Sequence, residues 1–293
     1  MSYQLDKTII FLHVPRCGGT TLKTIFMNLF DEVYTLVTEQ TVKIVRKTNP
    51  DVKYLTMEEL VAKPKDFLRK IQVLQGHMYY GIHKIFPQEC EYISIFRSPI
   101  GRTVSYYNYA LSQDSLRKDL EKYNLMELRD FAQNAYSYPN NITCFLQDGG
   151  TQSLDDNISR EIFNKGQTEE GIRIARKHLQ NFRFVGLQEF YWDTLYLLFR
   201  EFNWKFLPIA FHENKSTQGL LHYNPDTLGD ITELILNRNG NDLMLFNDVI
   251  AKWKKFRIDK EERANWIQRV IEYTQERIKL AKSKPLIIKP GRK

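Results

Sequence analysis

Residues 8–22 read TIIFLHVPRCGGTTL, and this stretch decides the fold of the first part of the chain. The apolar run TIIFL predicts a buried strand, and the run ends abruptly near Pro15. The sequence RCGGTT that follows predicts a tight glycine loop. Apolar residues then recur at the spacing of one helix face, at Leu22, Ile25, Phe26, Leu29 and Phe30. The stretch therefore predicts a strand, a glycine loop and a helix.

The glycine loop of this prediction is suited to bind an anion. The first N–H groups of a helix lack partners within the helix, and they carry the positive end of its dipole. Phosphate is the anion most often bound there. Gly18 and Gly19 allow close approach of a ligand and positive φ angles, while Arg16, Thr20 and Thr21 would add charge and donors. The alternative is a simple glycine turn with a capping threonine, since short glycine motifs also occur by chance.

The composition is typical of a soluble globular protein with a full hydrophobic core. The chain has 293 residues, of which 42% are hydrophobic and 26% are charged. No stretch approaches the roughly 18 apolar residues of a membrane span, and the first strand starts too early to leave room for a signal peptide. We therefore expect one α/β domain in the cytoplasm.

The cysteines and the net charge bound the possible ligands. Cys17, Cys90 and Cys144 show no CxxC spacing, so we expect reduced thiols and no metal site. The net charge of +7 favours an anionic ligand such as a nucleotide, an acidic glycan or a nucleic acid. The basic C-terminal stretch KSKPLIIKPGRK is more typical of a solvated tail than of a nucleic-acid arm, so we expect no nucleic-acid partner.

Further strands alternate with helical patterns along the chain. Short strands are predicted at 32–36, 73–77, 91–96, 182–187 and 206–211, and the pattern is helical from about 225 to 282. Residues 111–170 are polar and carry many loop signals. Strands that alternate with helices predict a parallel sheet covered on both faces.

Three cationic or titratable residues follow strands of this predicted sheet: Arg16, His77 and Arg97. Ligands of open parallel sheets bind outside the carboxyl ends of the strands, so we expect these residues at one edge. A nucleoside triphosphatase loop would read GxxxxGK[ST], with a magnesium-binding carboxylate at the end of another strand. Here the cation precedes the glycines and no GK[ST] occurs, so the pattern indicates two separated anion positions without magnesium.

Several blocks together resemble one enzyme family. HVPRCGGTTL (13–22) resembles the 5′-phosphosulfate loop of sulfotransferases that use 3′-phosphoadenosine 5′-phosphosulfate (PAPS), in the branch related to heparan sulfate 2-O and 6-O sulfotransferases. ISIFRSPIGRTVSYYNYA (93–110) resembles the 3′-phosphate segment of that family, and GHMYYGIH (76–83) resembles the block with its catalytic histidine. The stretch 182–204 resembles a later strand and helix, and NNITCFL (140–146) resembles part of the substrate region more weakly.

The resemblance implies a P-loop-like three-layer α/β fold, with a central parallel sheet flanked by helices and a helical C-terminal part. Residues 1–293 would form a single sulfotransferase domain. The donor-binding core would comprise about 8–110 and 180–216, the acceptor-side segment about 111–170, and the C-terminal helices about 225–283. PAPS would be the co-substrate, 3′-phosphoadenosine 5′-phosphate (PAP) the product, and no metal would be required.

The resemblance also assigns roles to the donor-site residues. The loop from Arg16 through Cys17, Gly18, Gly19 and Thr20 to Thr21 would hold the 5′-phosphosulfate, and Arg16 would stabilise the leaving group. Arg97 and Ser105 would hold the 3′-phosphate. The loop departs from the family pattern at Arg16, where lysine is more usual, and at Cys17, where threonine or serine is common. Arginine keeps the charge but differs from lysine in geometry.

His77 is the candidate general base, because it follows a strand at the same edge and histidine titrates near neutral pH. His83 is the alternative base, and we expect His13 to be a core residue.

Other residues near these motifs have less specific expected roles. Arg102 lies one turn before Ser105 and could assist it, but we expect Arg102 to point to solvent and the tyrosines at 106, 107 and 109 to serve packing. Residues 214–217 could close over the nucleotide.

The predicted function is sulfuryl transfer from PAPS to a hydroxyl group of a glycan or small metabolite. The alternatives are a P-loop-type nucleotide kinase or triphosphatase, and a non-catalytic polyanion-binding protein. The sequence specifies neither the acceptor nor the oligomeric state, because donor site and fold are shared across many acceptors.

Overall fold

The computed structural model describes residues 7–151, 156–204, 207–209 and 225–283. These residues form a six-stranded sheet in which all neighbouring strands are parallel. The strands are β1 (Thr8–Leu12), β2 (Val33–Leu36), β3 (Lys53–Leu55), β4 (Val73–Gly76), β5 (Cys90–Phe96) and β6 (Phe182–Leu187). Their spatial order is β3-β2-β4-β1-β5-β6, so β1 lies inside the sheet between β4 and β5.

Helices connect the strands and follow the last one. Up to β6 they are α1 (Gly19–Leu29), α2 (Glu39–Thr48), α3 (Met57–Val61), α4 (Lys65–Leu68), α5 (Pro99–Ser112), α6 (Asp114–Lys122), α7 (Leu128–Gln133), α8 (Asn141–Phe145), α9 (Asp156–Gly166) and α10 (Glu169–Leu179). After β6 they are α11 (Tyr191–Glu201), α12 (Pro225–Leu228), α13 (Asp230–Arg238), α14 (Gly240–Trp253) and α15 (Lys260–Ser283). Short 3₁₀ helices span Ile82–Ile85, Ala135–Ser137 and Gln188–Phe190.

Both faces of the sheet are covered, as expected for parallel strands. In β1, Ile9 and Phe11 belong to one buried cluster, while Ile10 and Leu12 belong to another. The first cluster includes side chains of α1 and α11, and the second includes side chains of α8, α10 and α14. The structure is therefore a three-layer α/β fold with a strand, glycine loop and helix at its centre, which confirms the predicted fold class.

The strand predictions hold for five of the six strands, with ends within one residue of the expected positions. β3 was not predicted, because it has only three residues and carries no recognisable alternation. The predicted strand at 206–211 lies largely outside the described residues, and 207–209 are not in a strand.

The segment predicted to face the acceptor consists mainly of short helices. Side chains of α6 and α7 bury an apolar cluster against α5, which includes Val104, Leu120 and Phe131. The C-terminal helices pack on this segment and on the sheet layers: α13 contacts α5 and α7, α14 contacts α8 and α10, and α15 contacts α11. The helical pattern predicted from about 225 is confirmed for 225–283. The division into donor and acceptor regions stays a prediction. Among the described helices, none is long and apolar enough to cross a membrane.

Candidate active site

The candidate site lies at the edge formed by the carboxyl ends of the central strands. Leu12 of β1 pairs with Gly76 of β4, and Phe96 of β5 pairs with Leu187 of β6. The residues that follow these four strands are therefore neighbours in space. They comprise the glycine loop, His77, Arg97 and the 3₁₀ helix that begins at Gln188.

The glycine loop turns sharply between β1 and α1. Gly18 has a φ of +84° and forms the N-cap of α1, which among the described residues receives no side-chain cap. A Cβ at Gly18 would fall on the Gln188 side chain, and a Cβ at Gly19 would fall on the His13 ring. Both positions thus require glycine, and the positive end of α1 is directed toward the edge of the sheet.

The remaining loop side chains differ in exposure. Cys17 is fully buried, and burial raises the pKa of its thiol to about 12. Its backbone N–H donates to the carbonyl of Val14 over 3.4 Å. Thr20 is exposed and Thr21 is half-buried, and both lie in the first turn of α1.

The side chain of Arg16 contacts α5 and does not extend over the glycines of the loop. Its Nε and Nη2 donate to Oγ of Ser105 at 3.3 and 3.2 Å, and its guanidinium stacks on the Tyr109 ring, 4.5 Å from the centroid. Burial lowers the pKa of the guanidinium from its ordinary value, but an arginine remains charged at neutral pH.

Arg97 approaches the same region from the end of β5. Its Nη1 donates to the carbonyl of Arg16 over 3.4 Å. The turn that follows is held by Ser98, whose hydroxyl accepts the Gly101 N–H as the N-cap of α5. The Ser98 N–H donates to the Glu189 carboxylate at 2.8 Å, which ties the end of β5 to the end of β6. The structure therefore brings Arg16, Arg97 and Ser105 together.

His77 follows β4 and contacts His13, the residue that follows β1. Its Nδ1 lies 2.6 Å from the carbonyl oxygen of His13. A carbonyl can only accept, so Nδ1 carries the proton and Nε2 of the neutral ring is left as the basic nitrogen. The ring contacts that of His13 at 4.6 Å between centroids and packs edge-on against Phe145.

The protonation state of His77 follows from its surroundings. Desolvation lowers the pKa of the imidazole to about 4; the hydrogen bond to the His13 carbonyl opposes this shift and the charge of Lys23 contributes to it, although the residue is exposed to solvent. Contact with water opposes the loss of hydration that drives this shift. The pKa of His77 therefore lies below the ordinary histidine value, and the imidazole is neutral at pH 7.

The other two histidines of this region occupy different settings. His83 lies in a 3₁₀ helix, where its Nδ1 is 2.9 Å from the hydroxyl of Tyr92, the third residue of β5. That hydroxyl accepts two backbone N–H groups, so its own proton is available to Nδ1 of His83. His13 is buried and stacks on Phe11, as expected for a core residue, and burial lowers its pKa well below the ordinary value.

Some residues of the site escaped sequence reasoning. Lys23 lies one turn after Gly19, so helical spacing puts it on the face that meets His13. Gln188 and Glu189 follow β6, and the strand-end rule that gathered Arg16, His77 and Arg97 also applies to them. The role of the His13 carbonyl left no signal in the sequence.

Arg102 corrects one expectation. It is 1% exposed, and its guanidinium donates to the carbonyls of Ser137 and Tyr138 at 3.2 and 2.8 Å. It therefore supports the packing of the segment after α7 and does not point to solvent.

The tyrosine stripe packs much as expected. Tyr107 is buried and bonds to the carbonyl of Met126, Tyr106 lies among aromatic rings, and Tyr109 supports Arg16. Residues 214–217 lie outside the described residues.

Within the described ranges no group of three or more His, Cys, Asp or Glu side chains could hold a metal ion.

No protein-family model matches the sequence, and no curated protein matches it. Two solved structures similar to this chain are both sulfotransferases. One, from Alicyclobacillus acidocaldarius, is 11% identical, with a TM-score of 0.40 over 86% of this chain and 100% of that chain. The other, mouse sulfotransferase SULT7A1 complexed with PAP, is 12% identical, with a TM-score of 0.27 over 80% of this chain and 65% of that chain.

Proposed function

We propose that this protein transfers the sulfuryl group of PAPS to a hydroxyl group of a glycan or small metabolite. One observation carries the proposal: two arginines and a serine meet at the same sheet edge as a histidine whose basic nitrogen is fixed. Arg16 contacts Ser105 at 3.2 Å, Arg97 contacts Arg16 at 3.4 Å, and His77 is oriented by the His13 carbonyl. Anion binding and proton abstraction are the two requirements of sulfuryl transfer.

PAPS carries phosphate at two positions, and two groups of donors at the sheet edge support the proposal that it binds there. Ser105 and Arg97 offer a hydroxyl and a guanidinium to the 3′-phosphate, as charge-assisted hydrogen bonds. The glycine loop and the N-terminus of α1 offer backbone N–H groups and a positive dipole to the 5′-phosphosulfate. Thr20 and Thr21 add hydroxyl donors at that end.

In the proposed reaction the acceptor oxygen attacks sulfur in line with the departing phosphate oxygen. Nε2 of His77 takes the acceptor proton, a new oxygen–sulfur bond forms, and the bond between sulfur and the 5′-phosphate oxygen breaks with its electron pair leaving on PAP. The helix dipole of α1 and the loop N–H groups then stabilise the charge that develops on the leaving phosphate.

Calorimetric titration with PAP, and separately with ATP plus magnesium, tests the donor class. We expect PAP to bind in the absence of metal, and more tightly than ATP with magnesium. Binding of ATP with magnesium alone would favour a kinase or triphosphatase. Binding of any polyanion with a steep dependence on salt would favour a polyanion-binding protein, because such binding releases counterions.

A further inference from the structure

Two positively charged side chains of the candidate site, Arg16 and Arg97, lie against α5. Arg97 lies two residues before α5, and Gly101, Ser105 and Tyr109 follow within the helix at intervals of four residues, so these three lie on one side of it. A Cβ at Gly101 would lie 2.9 Å from Nε of Arg97, which means that the arginine runs along the helix over the glycine. Gly101 thus leaves room for Arg97 to extend toward Ser105.

Arg16 reaches this face from the glycine loop. Its backbone has a φ of +67°, and its side chain ends on Ser105 and Tyr109 instead of over Gly18 and Gly19. Two of its nitrogens share the Ser105 hydroxyl, and the tyrosine ring holds the guanidinium plane. The position of this guanidinium is therefore fixed by α5, on the side of the site assigned to the 3′-phosphate.

The positive charges of Arg16 and Arg97 also favour a bound anion. The positive charge of Arg97 is close enough to lower the pKa of Arg16, after the larger effect of burial. Among the described residues no carboxylate forms an ion pair with Arg16. A dianionic phosphate between the two guanidinium groups would relieve their repulsion and accept donors from both.

We infer that Arg16 is a ligand of the 3′-phosphate, together with Arg97 and Ser105, and not the cation of the leaving 5′-phosphate. The inference rests on the proposed function and refines it. The glycine loop would then contact both ends of the donor. Its backbone N–H groups would bind the 5′-phosphosulfate, and its arginine would bind the 3′-phosphate. The site would then select nucleotides that carry a 3′-phosphate.

The test compares PAP with adenosine 5′-phosphate, which differs from PAP only by the missing 3′-phosphate. Calorimetry gives the ratio of the two Kd values for the wild type, Arg16→Ala, Ser105→Ala and the double variant. Arg117→Ala is the matched control, because Arg117 is an exposed arginine of α6 that pairs with Glu121. Arg16→Lys keeps the charge with a single donor group, and it serves if the alanine variant does not fold.

We expect Arg16→Ala to reduce the preference for PAP by about tenfold to a hundredfold, with the Kd of adenosine 5′-phosphate changed by less than about threefold. Arg16→Lys should lose part of the preference, and Arg117→Ala none. The double variant should lose less than the product of the single losses, since both side chains act on one phosphate.

An equal loss of affinity for both nucleotides in Arg16→Ala would overturn the inference and return Arg16 to the 5′ end. A wild type that binds both nucleotides equally, or neither, would overturn the proposed function itself. That result would be seen before any variant is made, so the two failures are distinguishable.

Discussion

At the scale of single residues, His77 illustrates how a backbone carbonyl determines which ring nitrogen of a histidine carries the proton. The carbonyl of His13 accepts the Nδ1 proton at 2.6 Å, and this contact leaves Nε2 as the basic nitrogen. Sequence reasoning found His77 because it follows a strand, but it left His83 as an alternative. The fold gives the two histidines different surroundings, since Nδ1 of His83 contacts the hydroxyl of Tyr92 in the interior of β5, and the choice of His77 as the base stays a prediction.

The pH dependence of turnover follows from the same residue. A histidine acts as a general base in its neutral form, and desolvation lowers the pKa of His77 to about 4. The rate at saturating donor should therefore be nearly constant from about pH 6 to 8 and fall only at lower pH, where the imidazole is protonated. A pH–rate profile measures this directly. An inflection at the ordinary histidine value of about 6.5, lost in His77→Ala, would contradict the lowered pKa.

Arg102 marks what single-residue reasoning could not reach. Its place in the α5 pattern suggested a solvent-facing side chain, but the segment after α7 folds back and buries it. Its partners lie 35 and 36 residues further along the chain, and no local spacing signals such a contact.

At the scale of elements, the connection from β1 to α1 is where sequence and structure agree best. The apolar run, the glycines and the helical spacing each specify one element, and the structure contains them in that order. β3 was missed because Lys53–Leu55 is too short for a period to be recognised. Long elements with strong patterns are thus predictable, whereas short edge strands depend on their neighbours.

Gly18→Ala tests the conformational demand of this connection. Alanine pays for the left-handed φ of +84° and also collides with Gln188, so we expect a loss of about 1–3 kcal/mol in the free energy of unfolding and weaker PAP binding. Urea denaturation and calorimetry measure the two effects. Gly150→Ala is the matched control, because Gly150 also has a positive φ but no atoms within 4 Å of its Cβ position. Equal destabilisation by both substitutions would show that the Gln188 contact is unimportant.

At the scale of the whole molecule, a buried carboxylate links α14 to α8, and α8 in turn contacts the candidate site. Asp242 of α14 is fully buried and accepts the N–H groups of Ile142 and Thr143 at the start of α8. The last residue of α8, Phe145, packs against the His77 ring. The C-terminal helices thereby fix the surroundings of the candidate base.

Asp242→Ala should accordingly destabilise the protein by about 2–4 kcal/mol, because it leaves buried N–H donors without an acceptor. Denaturant unfolding measures the loss. Asp248→Ala on the same helix is the control, since Asp248 pairs with Arg176 at the surface and should cost less than about 1 kcal/mol. Comparable losses for the two variants would argue against a structural role for the buried carboxylate.

The sequence predicted the fold class and the meeting of Arg16, His77 and Arg97 at one edge of the sheet, because strand ends and glycine loops are local patterns with one outcome in a parallel sheet. It did not predict the direction of the Arg16 side chain or the contacts of α8, which depend on residues far apart in the chain. The acceptor and the heparan sulfate branch stay predictions.

The central claim is that this protein moves a sulfuryl group with His77 as the base, and one measurement tests it most directly. Wild type and His77→Ala are incubated with sulfur-labelled PAPS and a mixed pool of glycans and small hydroxyl compounds, and labelled product is followed with time. His83→Gln is measured beside them, and PAP affinity is determined for all three proteins.

The wild type should form labelled product, and His77→Ala should bind PAP about equally while forming product roughly 10² to 10⁴ times more slowly, because the lost interaction belongs to the transition state. His83→Gln should retain near-normal turnover. A folded His77→Ala variant that binds PAP and keeps near-normal turnover, or a wild type that binds PAP yet labels no acceptor, would contradict the account.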